Sequence, residues 1–200
     1  MGVLEIPKQE EKLALQSAAK EYLRRLSVIW SGPLSDYHRV VASNQFAMPA
    51  MSYYMWTQRW PITELKKIDR EARKIAVENG GKHPCGSTSL LYLSRDKGGR
   101  GLRSIETEYK ETKVKAAVNQ YQNRDLTMKM VRDFEERAET VRHQALTKEA
   151  AVYAKEYGLQ LQLEYPDPFC VTEEGEVIPG KKIKNLLKRH RESREREEVR

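Results

Sequence analysis

The sequence predicts a mainly α-helical fold: a helical bundle with a small β-hairpin and a C-terminal basic helix. Three observations predict it. Apolar residues recur at helical spacing along most of the 200 residues. Glycine and proline mostly punctuate those stretches, and strand-type patterning is confined to short pieces. In order, residues 9–31 repeat Leu15, Ala18 or Ala19, Tyr22, Leu26, Ile29 and Trp30 on a helical period, and Gly32-Pro33 stops them. Asp36 can cap a second helix reaching about Trp56, with Tyr37, Val40, Val41, Asn44, Met48, Met51 and Met55 along one stripe and Pro49 kinking or dividing it. A third helix follows Trp60: Pro61 suits its first turn, Ile62, Leu65, Ile68, Ala72 and Ile75 face inward, and Asn79-Gly80-Gly81 ends it. A loop and hairpin are expected over 82–103. Helical patterning then runs from Ile105 to Tyr157 with a break near Asn123-Arg124-Asp125. Pro166-Asp167-Pro168 and Glu174-Gly175-Glu176 punctuate an extended segment with Val171 and Val177-Ile178 as strand pieces, and Pro179-Gly180 opens the final basic helix. These signals suggest three regions, 1–104, 105–165 and 166–200.

Lys and Arg total 36 against 29 Asp and Glu, a net charge of +7. Its distribution says more than its size. Residues 181–200 hold nine cations against four glutamates, and residues 92–103 hold Arg95, Lys97, Arg100 and Arg103 against Asp96 alone. Concentrated positive charge fits a polyanion, nucleic acid first. Two cysteines, Cys85 and Cys170, build neither a disulfide framework nor a zinc spacing with four histidines, which points to a reducing, intracellular setting. No apolar run approaches a membrane span, no signal peptide opens the chain, and Ile6 stands where a myristoylation motif needs Ser or Thr. Phosphate-loop, nucleophile-elbow and zinc-protease motifs are missing, as is an aromatic-x-Asp-Asp element able to hold catalytic magnesium. Glu135-Glu136 and Glu173-Glu174 read as surface charge, and no cofactor is implied.

The densest chemistry lies in Tyr92-Leu93-Ser94-Arg95-Asp96-Lys97-Gly98-Gly99-Arg100-Gly101-Leu102, followed by Arg103. Glycine permits positive φ and close backbone approach, and arginine grips phosphate with a fork of donors. Two readings stand side by side. One is a contact to an anion through these cations and the amides of Gly98 and Gly99, which could form a small nest; the other is a tight hairpin with solvated cations. Arg70, Arg73 and Lys74, spaced i, i+3, i+4 on the third helix, make a second basic cluster. The Met stripe reads as core and Asn44 as a buried hydrogen-bonding group.

Taken together, Asn44-x-Phe46-Ala47-Met48-Pro49, Tyr53, Trp60, Leu65-x-x-Ile68-Asp69-Arg70-x-x-Arg73-Lys74, His83-Pro84, Leu91-Tyr92-Leu93-x-Arg95 and Gly98-Gly99-Arg100-Gly101-Leu102 resemble non-LTR (LINE-type) retrotransposon reverse transcriptases. The nearest likeness is to the site-specific branch that carries a restriction-like endonuclease. The likeness is strong over 40–106 and softer after 107, and Gly2-Val3-Leu4 looks like the tail of that family's Tyr-Leu-Gly-Val junction. Pro61, Ser94 and Lys97 depart from its pattern. The resemblance implies the thumb-like region and connection that follow the polymerase palm, with fingers and palm before Met1 and a linker, zinc knuckle and nuclease after Arg200. It implies a role in holding a template–primer duplex, with Arg70, Arg73, Lys74, Arg95, Lys97, Gly98, Gly99, Arg100 and Arg103 as the nucleic-acid-binding set. It implies the fingers and palm of a parent polymerase as partner and a nuclear site of action. Without the palm's aspartates no polymerase activity of its own is expected. A non-enzymatic helical scaffold and a host-adopted RNA- or DNA-binding protein are the competing readings.

Overall fold

The computed structural model describes residues 5–81, 83, 85–140 and 145–198. Gly2-Val3-Leu4 and Pro84, both part of the resemblance, lie outside them, as does Arg200. The fold is mainly helical with a small antiparallel sheet. Two compact units divide it, Met1–Tyr109 with Glu195–Arg200, and Lys110–Arg194.

In the first unit, α1 (Glu5–Ser31) buries Leu15, Ala18, Tyr22, Leu26 and Trp30, an apolar stripe advancing three or four residues at a time. Helix α2 (Asp36–Ala42) is capped by Ser35, whose hydroxyl accepts from the His38 amide at 3.4 Å; the cap thus falls one residue before Asp36, which lies in the first turn. Ser43–Ala47 form a π-helical turn, closed by the Met48 amide on the Ser43 carbonyl at 2.9 Å, and α3 (Pro49–Met55) begins anew. Pro49 has no amide to continue the ladder, so the chain widens one turn and restarts with proline at its first position. Met48, Met51 and Met55 are core. Helix α4 (Ile62–Glu78) buries Leu65, Ile68, Asp69, Ala72 and Ala76, and three residues after it Gly81 lies so close to the Trp30 ring that a Cβ there would come within 1.8 Å. Arg39 ties these helix ends together, donating to the Asn79 carbonyl at 2.9 Å and to the Gly32 carbonyl at 3.1 Å.

The expected hairpin over 82–103 is not one: among the described residues there it forms no strand, but a single helical turn α5 (Ser89–Tyr92) and a 3-10 turn Arg95–Lys97. A four-residue helix closes a single turn, the Leu93 amide on the Ser89 carbonyl at 2.8 Å, and leaves the carbonyls that follow to partners outside it. The returning chain satisfies them, with the amides of Arg100, Leu102 and Gly101 donating to the carbonyls of Leu90, Leu91 and Leu93 at 2.9, 3.0 and 2.8 Å. Helix α6 (Ile105–Gln122) follows, and the boundary between the units falls within it, after Tyr109.

The second unit continues from the rest of α6 through α7 (Leu126–Thr140), α8 (Leu146–Glu156), β1 (Leu159–Gln162), β2 (Phe169–Thr172), β3 (Val177–Pro179) and α9 (Ile183–Glu197) as far as Arg194. The break at 123–125 is present, and α8 starts at Leu146 behind the extended Ala145. The strands pair antiparallel in sequence order, with Leu161 opposite Cys170 and Cys170 opposite Ile178. Val171, Val177 and Ile178 are strand residues as expected, so the small β-element lies here and not at the glycine turn. The anticipated division at 165/166 accordingly runs through the connection between two paired strands. Arg132, buried, donates to the carbonyls of Gln120 and Asn123 at 2.6 and 2.8 Å and closes the end of α6. Glu135 is half-buried and accepts from the Leu146 amide at 2.8 Å, so it caps α8 and is not mere surface charge. The basic helix α9 packs Ile183, Leu186 and Leu187 inward, while Arg191 pairs with Glu111 and Arg194 covers the Tyr157 ring at 5.3 Å. Among the described residues no helix is long and apolar enough to cross a membrane.

Candidate nucleic-acid interface

The residues that carry the resemblance assemble into one hub in the first unit. Most of its apolar members are core: Ala47, Met48, Trp60, Leu65, Ile68, Leu91, Leu93 and Leu102 are buried, whereas Phe46 and Tyr53 are exposed. Its polar members lock distant segments together. Asn44 spans to the glycine turn, donating to the Gly101 carbonyl at 2.8 Å and accepting from the Arg103 amide at 3.0 Å. Arg100 meets Asp36 at 2.7 Å.

Asp69 does the same from α4. Its carboxylate accepts from the Ser104 hydroxyl at 2.7 Å, the Ile105 amide at 2.8 Å and the Glu106 amide at 3.1 Å. A side chain on one helix thereby caps the first turn of another, where free amides and the helix dipole favour an anion. Burial lifts the Asp69 carboxyl above its ordinary range, opposed by those three donors and by the Arg73 charge. Arg73 donates to the Tyr92 hydroxyl at 3.0 Å, and burial pushes that phenol up to about 12.

This geometry sorts the expected contact residues. Arg70 and Lys74 are exposed one helical turn apart, Lys74 in an ion pair with Glu71 at 2.7 Å. Arg73, between them in sequence, is half-buried and committed to Tyr92, so the three cations do not form one solvent-facing cluster. Arg95 is exposed and lies over the Tyr37 ring at 4.7 Å. Lys97 and Arg103 are exposed with only loose acidic neighbours, Asp96 at 3.8 Å and Glu108 at 3.9 Å. Arg100 is occupied by Asp36.

The glycines have structural tasks. Gly98 and Gly101 take φ of +89° and +80°, and a Cβ on Gly99 would stand 2.0 Å from the Leu93 carbonyl oxygen. The expected amide nest is not available. Every N–H from Lys97 to Leu102 donates to a carbonyl of the same segment, at 2.8 to 3.0 Å, leaving none of those six pointing to a ligand. His83, also singled out by the resemblance, accepts from the Cys85 amide at 3.2 Å.

Among the described residues no group of three or more His, Cys, Asp or Glu side chains could hold a metal ion. The sequence reading missed the task of Asp69, whose signal is an acid beside Ile68 on the apolar stripe of α4. It also missed Arg39 and Arg132 as helix-end donors, for which local sequence carries no mark. No family model matches the chain, and no curated protein or solved structure matches it significantly.

Proposed function

We propose that this chain is a non-catalytic nucleic-acid-binding module of reverse-transcriptase type, the thumb and connection region of a non-LTR retrotransposon polymerase, which grips an RNA–DNA hybrid by its backbone. One observation carries the reading. Asp69 and Arg73 on α4 hold the segments on both sides of the glycine turn, so exposed Arg70 and Lys74 and exposed Arg95, Lys97 and Arg103 sit on elements fastened to each other. Cations fixed on a rigid scaffold neutralise phosphates without ordering cost at the moment of binding, and contacts of this kind read shape and charge more than base edges.

Hybrid binding across a salt series tests it. Arg70→Ala with Lys74→Ala should flatten the slope of log K against log salt by about two units, because each phosphate left without its cation lowers the slope by about one. Folding stability should stay put in that variant. Arg73→Ala should do the reverse, lowering stability while changing the slope by less than about one unit. An unchanged slope in the double variant would take α4 out of the contact surface. Primer extension with the chain alone should give no incorporation.

A scaffold reading draws on α7, where Leu126, Met130 and Phe134 lie exposed at i, i+4 and i+8. Absence of hybrid binding at low salt would favour that reading over ours.

A further inference from the structure

The first unit carries a second surface that the cations do not explain. Phe46, Tyr53 and Trp56 are exposed to 63%, 79% and 48%. Phe46 is in the π-helical turn, Tyr53 follows seven residues on in α3, and Trp56 three further with helical dihedrals, φ −70° and ψ −36°. Steps of seven and three residues keep side chains on one side of a helix. Met48, Met51 and Met55 occupy the opposite side and are buried.

Two features identify what fits there. Every large apolar side chain exposed between 43 and 58 is aromatic: Phe46, Tyr53, Tyr54 and Trp56. Exposed rings separated by the polar Gln45, Ser52 and Thr57 offer discrete flat faces to partners that stack. The electrostatics agree. No Asp or Glu occurs anywhere from 37 to 63, whereas the chain has 29 in 200 residues. Arg25 donates to the Phe46 carbonyl at 2.8 Å, its charge shared with Glu21 at 2.7 Å, and half-buried Arg59 follows Trp56 by three residues.

We propose that this aromatic face binds single-stranded nucleic acid, stacking successive bases on Phe46, Tyr53 and Trp56 while Arg25 and Arg59 meet the phosphates. Rings provide sequence-tolerant platforms for any base, and bare rings free of acids are what unpaired strands require. The residues differ from those assigned to the hybrid, so the two surfaces have separate occupants, the paired strands and the unpaired one.

Tryptophan emission of the full chain reads this directly. Trp30 and Trp60 are 1% and 3% exposed, which leaves Trp56 as the ring a ligand can reach. Titration with oligo(dT) or oligo(rU) should quench emission, and Trp56→Leu should abolish the quench. Phe46→Ala with Tyr53→Ala should weaken single-strand binding at least about tenfold, as expected when two stacking platforms are removed. That double variant should leave hybrid affinity within about twofold, since no cation is removed. Both substitutions are on exposed rings, and circular dichroism checks that the helices persist. Arg70→Ala with Lys74→Ala should give the opposite pattern, which separates failure of this proposal from failure of the duplex reading. Absence of quenching by a single strand would overturn the proposal. Equal loss of hybrid and single-strand binding in the aromatic variant would overturn it too, as would a doubling of mass in light scattering abolished by that variant, which would assign the face to a second copy of the chain.

Discussion

At the scale of single residues, the decisive side chain is Asp69. It is an acid on the apolar stripe of an amphipathic helix, where burial disfavours its charge, and it survives there by closing the N-terminus of α6 with three hydrogen bonds. Asp69→Ala should cost about 2–3 kcal/mol in urea unfolding, the sum of a missing cap and buried donors left unpaired. Asp69→Asn keeps one acceptor oxygen and should cost less, about 1–2 kcal/mol. The pH dependence has a defined sign. The native carboxyl titrates above its ordinary value of 3.8, so its contribution is complete below that value and declines as pH rises through the native pKa. The margin of wild type over Asp69→Asn should therefore be widest in acid and shrink toward neutral pH. A margin that grows with pH would show that the three donors and Arg73 outweigh burial. Asn44 works on the same plan with a neutral amide, which explains a polar group on the Met-rich side of its helix.

At the scale of elements, the glycine turn is a device for ending a helix too short to end itself. Its three glycines are not equivalent, and substitution by alanine should rank them. Gly98 needs only its positive φ and has open space around it, so Gly98→Ala should cost about 1 kcal/mol. Gly101 combines positive φ with ordinary contact to the Arg95 side chain at 3.5 Å and should cost about the same. Gly99 has no room at all against the Leu93 backbone, so Gly99→Ala should cost about 3 kcal/mol by forcing the two arms apart. Thermal unfolding of the three variants gives the order, and an equal cost for all three would remove the close approach as the reason for Gly99. The same turn marks where the sequence stops being legible. Helices such as α1 and α4 could be read because one apolar stripe repeats over many turns, and Pro49 announced its own interruption. Helix α5 has four residues, fewer than two periods, so its pattern read as extended chain. The cations of the candidate site were visible by type, but their availability was not. Whether Arg73 or Lys74 faces water depends on Tyr92, nineteen residues away along the chain, and whether Arg100 is free depends on Asp36, sixty-four residues away.

At the scale of the whole molecule, two compact units within one 200-residue chain raise the question of whether they melt together. Each has its own buried set. Tyr22, Trp30, Met51, Leu65 and Leu91 belong to the first, and Tyr153, Leu159, Cys170 and Leu187 to the second. The natural probes are already sorted between them. All three tryptophans, Trp30, Trp56 and Trp60, are in the first unit, whereas Cys170 is in the second. Cys170 is fully buried and its thiol is pushed up to about 11 by that burial, so it should stay unlabelled by a thiol reagent while exposed Cys85 reacts at once. Native protein should therefore show one fast thiol and denatured protein two. Followed through urea, tryptophan emission reports the first unit and Cys170 reactivity the second. Separate cores predict separate midpoints, because local opening costs only the interactions of the unit that opens. The second unit should open first: its sheet has three strands of three or four residues, too short for independent stability, and depends on packing such as that of α8 against β1. Coincident midpoints would instead make the chain one cooperative domain, and Arg132→Ala would then shift both probes equally. With separate units, removing the Arg132 donors from the end of α6 should advance Cys170 labelling and leave the tryptophan transition where it was.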